Sequence, residues 1–276
     1  MSFRKAMRAI AVTAFAASGL IFMMVTSAST QQMTARQPSA DESLMMYFYN
    51  DPQPARLVGF LERYQSSAPN WAAFPPVAGF LAVVFRRYPN WIGKLIPNQP
   101  DSRTAVAVDA ALQLSGQPTA DGSSLQSRLT NAGADATLKA ALANLPGRLE
   151  DLHVVTPTHL DLLWGASFAS GDERYARTVA DFIAATANRS EPIAIEVAKV
   201  TLAVVGGPQE PLRQLQGKYG DQFAREILFA AVATWGLEAN ARAHPFIDEF
   251  LTKYIAANSS TPTAKLLTVA RQKKQN

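Results

Sequence analysis

From Pro54 onward, apolar residues recur at the spacing of a helix face. Leu57, Phe60, Leu61 and Tyr64 form one stripe, and after Pro75-Pro76 the set Val77, Phe80, Leu81, Val84, Phe85 and Tyr88 forms the next. Residues three and four apart share a helix face, so each set predicts one buried side. Thr156 followed by Pro157 supplies an N-cap and a first helical residue that lacks an otherwise orphaned N–H. Leu160, Leu163, Trp164 and Phe168 then line one face until Gly171 stops the helix. Asp172 starts a helix that points Tyr175, Val179, Phe182 and Ile183 inward. Ser190-Glu191-Pro192 opens another, with Ile193, Val197, Val200 and Val204 on its face and Gly206-Gly207-Pro208 at its end. Asp221 to Trp235, with Phe223, Ile227, Ala230 and Ala231, and Pro245 to Ile255, with Phe246, Phe250, Leu251 and Tyr254, repeat the plan. No stretch alternates with the period of two that a half-buried strand requires. Leu152 to Val155 is the one short candidate, and between Pro146-Gly147 and Thr156 it reads as a connector. The pattern predicts an all-α chain of successive antiparallel helical hairpins, an α-solenoid or an irregular helical array.

Upstream the pattern changes. Arg4, Lys5 and Arg8 make a short basic segment, Ala9 to Val25 is an uncharged apolar run of 17 residues, and Thr26, Ser27, Ala28 and Ser29 are small. That is the three-part layout of a secretory signal, with cleavage expected near Ala28. The run also reaches the lower edge of the roughly 17–25 residues that span a bilayer, so an uncleaved anchor at residues 1–28 is the alternative. In both cases the basic residues stay on the cytoplasmic side and the chain from about residue 30 lies outside the cytoplasm. Without an adjacent arginine pair in the basic segment, general secretion is expected rather than the twin-arginine route. Residues 29–53 read as a flexible tether carrying an apolar arm, Leu44 to Tyr49, which either packs on the body or forms an exposed docking patch. The loops Ser115 to Ser124 and Pro146 to Val155 bracket the expected seam between a helical half at 54–145 and another at 156–276.

Two internal similarities stand out. Gly59-Phe60-Leu61 followed by Pro69-Asn70-Trp71 recurs as Gly79-Phe80-Leu81 followed by Pro89-Asn90-Trp91. Two copies are fewer than the three or so that bury a continuous core, so the match predicts a local solution used twice. Within Trp164 to Ile183, Gly165, Phe168, Gly171-Asp172, Ala176 and Ala180 follow an order of helix, tight turn and helix that resembles one tetratricopeptide repeat. One residue fewer separates Gly165 from Gly171 than the family uses, and Asn188 stands where a closing proline belongs. The resemblance implies a helical-hairpin solenoid with a concave surface for a peptide or protein, and no chemistry.

Composition narrows the function classes. Cysteine is absent from all 276 residues, which removes disulfides, thiolate metal sites and cysteine nucleophiles. The net charge of +4 arises at the ends, from Arg4, Lys5 and Arg8 and from Arg271, Lys273 and Lys274. Between them the charges come close to balance, so the footprint of a nucleic-acid binder is missing and no nucleic-acid partner is expected. The short cluster from Arg271 to Lys274 reads as a solvated helix end.

Catalytic signals are sparse. Gly165-Ala166-Ser167-Phe168-Ala169 comes within one residue of the serine-hydrolase elbow, but that motif needs a strand ahead of the serine, and Ser167 falls in a helix. His153 and His159, with Asp151 and Asp161 nearby, straddle a helix start at a spacing of six that matches no common zinc pattern. His159 and His244 read as exposed or cap-adjacent. Glu150-Asp151 and Asp248-Glu249 are adjacent acids that point to different helix faces rather than converging on one bond. Gly206-Gly207 lacks the Gly-Lys-Ser/Thr of a phosphate loop. Trp71, Trp91, Trp164 and Trp235 lie in or beside apolar stripes and are expected in cores. No catalytic, cofactor-binding or metal-binding residue is therefore assigned. The expected function is an exported, non-catalytic helical scaffold or protein- or peptide-binding module of the cell envelope, meeting the membrane only through residues 9–25 if these are retained. The alternative is an enzyme whose site is assembled from scattered residues.

Overall fold

A computed structural model describes residues 39–117, 124–203 and 209–272. The signal or anchor, the tether as far as residue 38, Gly206-Gly207-Pro208, Lys273 and Lys274 lie outside the described residues. Among those described, every regular element is a helix, in keeping with the all-α pattern, and no strand occurs. The α-helices are α1 (Ala40–Met46), α2 (Phe60–Ser67), α3 (Phe74–Arg87), α4 (Ile92–Leu95), α5 (Ser102–Ser115), α6 (Ser124–Ala132) and α7 (Ala136–Ala141). There follow α8 (Pro157–Ser170), α9 (Glu173–Ala187), α10 (Glu191–Ala203), α11 (Gln209–Tyr219), α12 (Asp221–Ala243), α13 (Pro245–Ala257) and α14 (Pro262–Gln272). The described residues divide into two compact units, one holding those from 39 to 153 together with Thr158–Gly171, the other Val154–Pro157 and those from 172 to 272.

In the first unit, α1 begins inside the segment whose composition reads as tether. A capping box explains it: Glu42 N–H donates to Ser39 Oγ at 3.1 Å and Ser39 N–H to Glu42 Oε2 at 2.6 Å, which satisfies two orphan donors at once. The apolar arm packs on the body, with Met45 and Phe48 fully buried and the Phe48 ring edge-on to Phe80 at 5.2 Å. Phe60, Tyr64 and Phe74 continue this aromatic core, and the Tyr64 hydroxyl is satisfied by the Ala73 carbonyl at 2.8 Å. The duplicated segments prove alike in their turns and unlike in their glycines. Pro69-Asn70-Trp71 leads into a 3₁₀ turn at Trp71–Ala73 and Pro89-Asn90-Trp91 itself forms one, but Gly59 caps α2 at φ 72° whereas Gly79 lies inside α3.

Gly79 and Gly165 set the closest contact of this unit. A Cβ on Gly79 would stand 1.9 Å from the Leu162 carbonyl oxygen, and one on Gly165 would stand 1.8 Å from that of Pro76. Backbone therefore meets backbone where α3 crosses α8, and only hydrogen side chains fit. This contact holds α8, which the pattern places in the second half, against helices of the first. The helix begins at Pro157 as its sequence predicts, yet Thr156 Oγ1 makes no hydrogen bond, so the proline rather than a side-chain cap marks the start. Helix α5, the main partner of α3, buries Ala105, Ala107, Ala110 and Ala111, small residues that leave only a faint stripe in the sequence.

In the second unit, α12 is central and touches α9, α10, α11, α13 and α14. It runs eight residues beyond Trp235 because buried Gly236, Leu237 and Ala241 continue its inner face, and Pro245 enforces the stop. Asp172 caps α9 through the Arg174 N–H at 2.9 Å, and α13 starts at Pro245, both as the sequence indicates. The last helix, α14, buries Ala264, Leu266 and Leu267, and Asn188 Oδ1 accepts from Thr263 N–H at 3.1 Å and Thr263 Oγ1 at 2.8 Å. None of the described helices is long and apolar enough to cross a membrane.

Candidate functional site

The residues singled out by sequence do not converge. Ser167 is buried in the middle of α8 with no hydrogen-bond partner for its hydroxyl and no strand ahead of it. His153 and Asp151 are exposed, while His159 turns its Nδ1 to the His153 carbonyl oxygen at 2.8 Å. Burial lowers the His159 pKa, and the bond to that carbonyl partly opposes the shift. Among the described residues no three of His, Cys, Asp and Glu gather as metal ligands would. The histidines are cap-adjacent but not exposed: His244 is the N-cap residue of α13 and His159 lies in the first turn of α8, and both are buried. Burial pushes His244 down to about 4, so it is neutral beside Phe246.

The adjacent acids diverge as expected of helix neighbours. Glu150 pairs with Arg86 while Asp151 is exposed, and Asp248 takes Arg271 while Glu249 pairs with Lys253 at 2.7 Å. Arg271 is thus no mere solvated end. Of the tryptophans, Trp164 is in the core, whereas Trp71, Trp91 and Trp235 are partly exposed and Lys94 Nζ lies 4.8 Å over the Trp91 ring.

Two buried carboxyls were not legible as such. Asp161, one turn before Gly165 on α8, is enclosed with Oδ2 unpaired, and burial drives its pKa well above the usual carboxylate range. A carboxyl whose folded pKa exceeds its unfolded value of about 3.9 binds its proton more tightly when folded. Its contribution to stability is therefore fully present below about pH 4 and is lost as pH rises through the folded value. Asp161→Asn removes the charge and keeps the shape. It should raise stability at neutral pH and flatten this part of the profile, as read from denaturant midpoints between pH 4 and 8; an unchanged profile would contradict the assignment.

The second carboxyl is Glu238 on α12, 5% exposed with Oε1 unpaired. Burial raises its pKa to about 7, opposed by Arg271 and Arg242 and assisted by Asp248. Arg271, from α14, donates to Asp248 on α13 and to Thr252 Oγ1 at 3.0 Å. Three helices thus meet at one buried acid.

The same unit carries an apolar groove between α10 and α14. Ala194, Ile195 and Ala198 form one wall and Pro262, Leu266 and Val269 the other, with the Glu191–Lys265 pair at 2.9 Å beside it. Ile195 and Val269 are 50% and 42% exposed, and Leu202, farther along α10, is 45% exposed. Helix α10 is therefore apolar on two sides, one buried through Ile193, Val197 and Val200 and one open. The second stripe, Ile195 and Leu202 two turns apart, was available in the sequence but is masked there by the stronger first.

Fold and sites together define an all-helical protein of two compact units, the second with a surface groove and a buried three-helix acid cluster. No protein-family model matches the chain, and neither a curated protein nor a solved structure does.

Proposed function

We propose that the chain is an exported, non-catalytic helical module whose second unit receives an amphipathic helix of a partner protein between α10 and α14. The observation that carries this reading is the exposed apolar stripe of Ile195, Leu202 and Val269 on two neighbouring helices. Its occupant follows from the lining. Glu191 and Lys265, the charges among the lining residues, are paired with each other, so apolar contact rather than charge selects the ligand. Two helical walls with residues three, four and seven apart accept the ridge of a third helix. The groove's volume is about 90 Å³, well below the roughly 300–1,000 Å³ of small-molecule sites, which suits a few inserted side chains better than an enclosed substrate.

In the second unit α9 touches α10, α11 touches α12, α12 touches α13 and α13 touches α14, which supports reading them as helical hairpins in an irregular array. The tetratricopeptide resemblance has its two helices, α8 and α9, in different units, so the reading rests on the second unit itself. Export rests on the basic, apolar and small-residue segments ahead of residue 30, which also support a periplasmic or secreted location or an anchor facing the same way. The enzyme alternative would place its acid at Glu238, whose pKa lies near neutrality between two arginines.

One preparation tests both parts. Protein isolated from its own envelope fraction should begin near Ser29 by N-terminal sequencing; Met1 intact in a membrane pellet would select the anchor, and in cytosol would refute export. A partner should copurify with this protein and be lost from the Ile195→Glu/Val269→Glu variant at unchanged helical circular dichroism. Retention of that partner by the variant, self-association instead of a partner, or no partner at all would overturn the groove assignment.

A further inference from the structure

We infer that the corner where α12, α13 and α14 meet is a proton-controlled latch, in which neutral Glu238 leaves Arg271 on Asp248 and α14 docked, and ionised Glu238 releases α14. The corner holds an imbalance of partners. Arg271 anchors the C-terminal turn of α14 through Asp248 and Thr252, while the Glu238 carboxyl beside it has a buried oxygen with no donor. A neutral carboxyl tolerates that position. A carboxylate does not, because a buried charge without hydrogen bonds is far costlier than a buried neutral group. Losing its proton to solvent, Glu238 must either take Arg271 from Asp248 or admit water, and each route breaks the anchor.

The surrounding charges leave Glu238 few other partners. On its own helix it faces Arg242, which is exposed; on α13 it faces Asp248 and on α14 Arg271. His244, at the junction with α13, is buried and neutral. The charges of α9 are engaged elsewhere, Arg174 with Asp172, Arg177 with Glu173 and the Phe250 ring, and Asp181 toward Tyr254. On α10 and α11, Glu191 is paired with Lys265, and Glu196 with Lys199 and Lys218. The Glu238 pKa of about 7 places the transition near neutrality.

Hydrogen exchange of the full chain, corrected for the intrinsic pH dependence of amide exchange, reads the latch without any partner. Protection of α14 amides should fall by up to about tenfold per pH unit as pH rises from the ordinary glutamate range toward about 7, and level off above it, because only between the open and docked pKa values does opening release a proton. Glu238→Gln should hold α14 protected and flat across the same range. Asp248→Asn leaves Glu238 as the remaining carboxylate for Arg271, so its α14 protection should rise with pH instead of falling. Unchanging protection in the natural sequence, a fall in Glu238→Gln equal to that of the natural sequence, or a parallel fall in Asp248→Asn would each overturn the proposal. If Glu238→Gln does not fold, the Asp248→Asn trend decides. Because α14 is also a wall of the groove, partner binding should weaken above neutral pH; that consequence alone rests on the proposed function, and the exchange result stands or fails without it.

Discussion

Gly165→Ala should destabilise the protein by about 4 kcal/mol or more, the range reserved for a core that cannot relax around an intruding atom. The new Cβ would lie 1.8 Å from the Pro76 carbonyl oxygen and 2.8 Å from the Phe80 nitrogen, both of them backbone atoms of α3. No rotamer relieves such a clash. The two helices must move apart, and separation opens voids around Phe80 and Leu162, both fully buried in an interior packed to crystal density. Gly79→Ala meets the Leu162 carbonyl oxygen at 1.9 Å from the other side and should behave alike. Gly217 is the control, since a Cβ there, on the exposed side of α11, meets nothing within 4 Å. Gly217→Ala should raise stability by about 0.5–1 kcal/mol through helix propensity. Urea unfolding of the three variants separates the cases, and a loss below about 1 kcal/mol for Gly165→Ala would mean that α3 and α8 do not cross in this way.

Trp164→Ala should cost about 3–5 kcal/mol, the usual loss for deleting a large buried aromatic. Trp164 is 6% exposed, and Leu160, Leu163 and Phe168 of the same helix are buried with it. Truncation removes the apolar contact and leaves a cavity that α8 cannot close, because the glycine next in sequence already holds it at the shortest possible distance from α3. Trp164→Phe fills part of that cavity and should lose distinctly less. A cost below about 1 kcal/mol in denaturant unfolding would place Trp164 on a surface and make it a binding residue.

His244 and Glu238 add opposite slopes to the pH dependence of the second unit. The histidine, lowered to about 4 from an ordinary 6.5, loses stability as pH falls below its unfolded value. The glutamic acid, raised to about 7 from 4.5, loses it as pH rises. Between about pH 4.5 and 6.5 the two largely offset each other, so a flat bulk stability curve there is compatible with both shifts.

Where helices begin, and which face most of them bury, is dictated by residues close together in the chain. Asp172 capping α9, Pro157 and Pro245 at first helical positions, and the stripe through Trp164 act within a turn or two of the chain, and such signals are written locally. The capping box of Ser39 and Glu42 was equally local and was hidden only by the polar residues around it. Helices α5 and α14 were faint because alanines and threonines bury well against a close neighbour yet contribute little hydrophobic contrast. Which residues share a neighbourhood across long separations is set instead by how the helices pack. Gly79 meets Leu162, Asp161 is enclosed, Arg271 reaches Asp248 beside Glu238, and Ile195 stays open although Ile193 does not. The reason is physical: a cap or a stripe depends on residues within four positions, whereas burial, a shifted carboxyl and an open groove depend on what another helix brings to the same point in space.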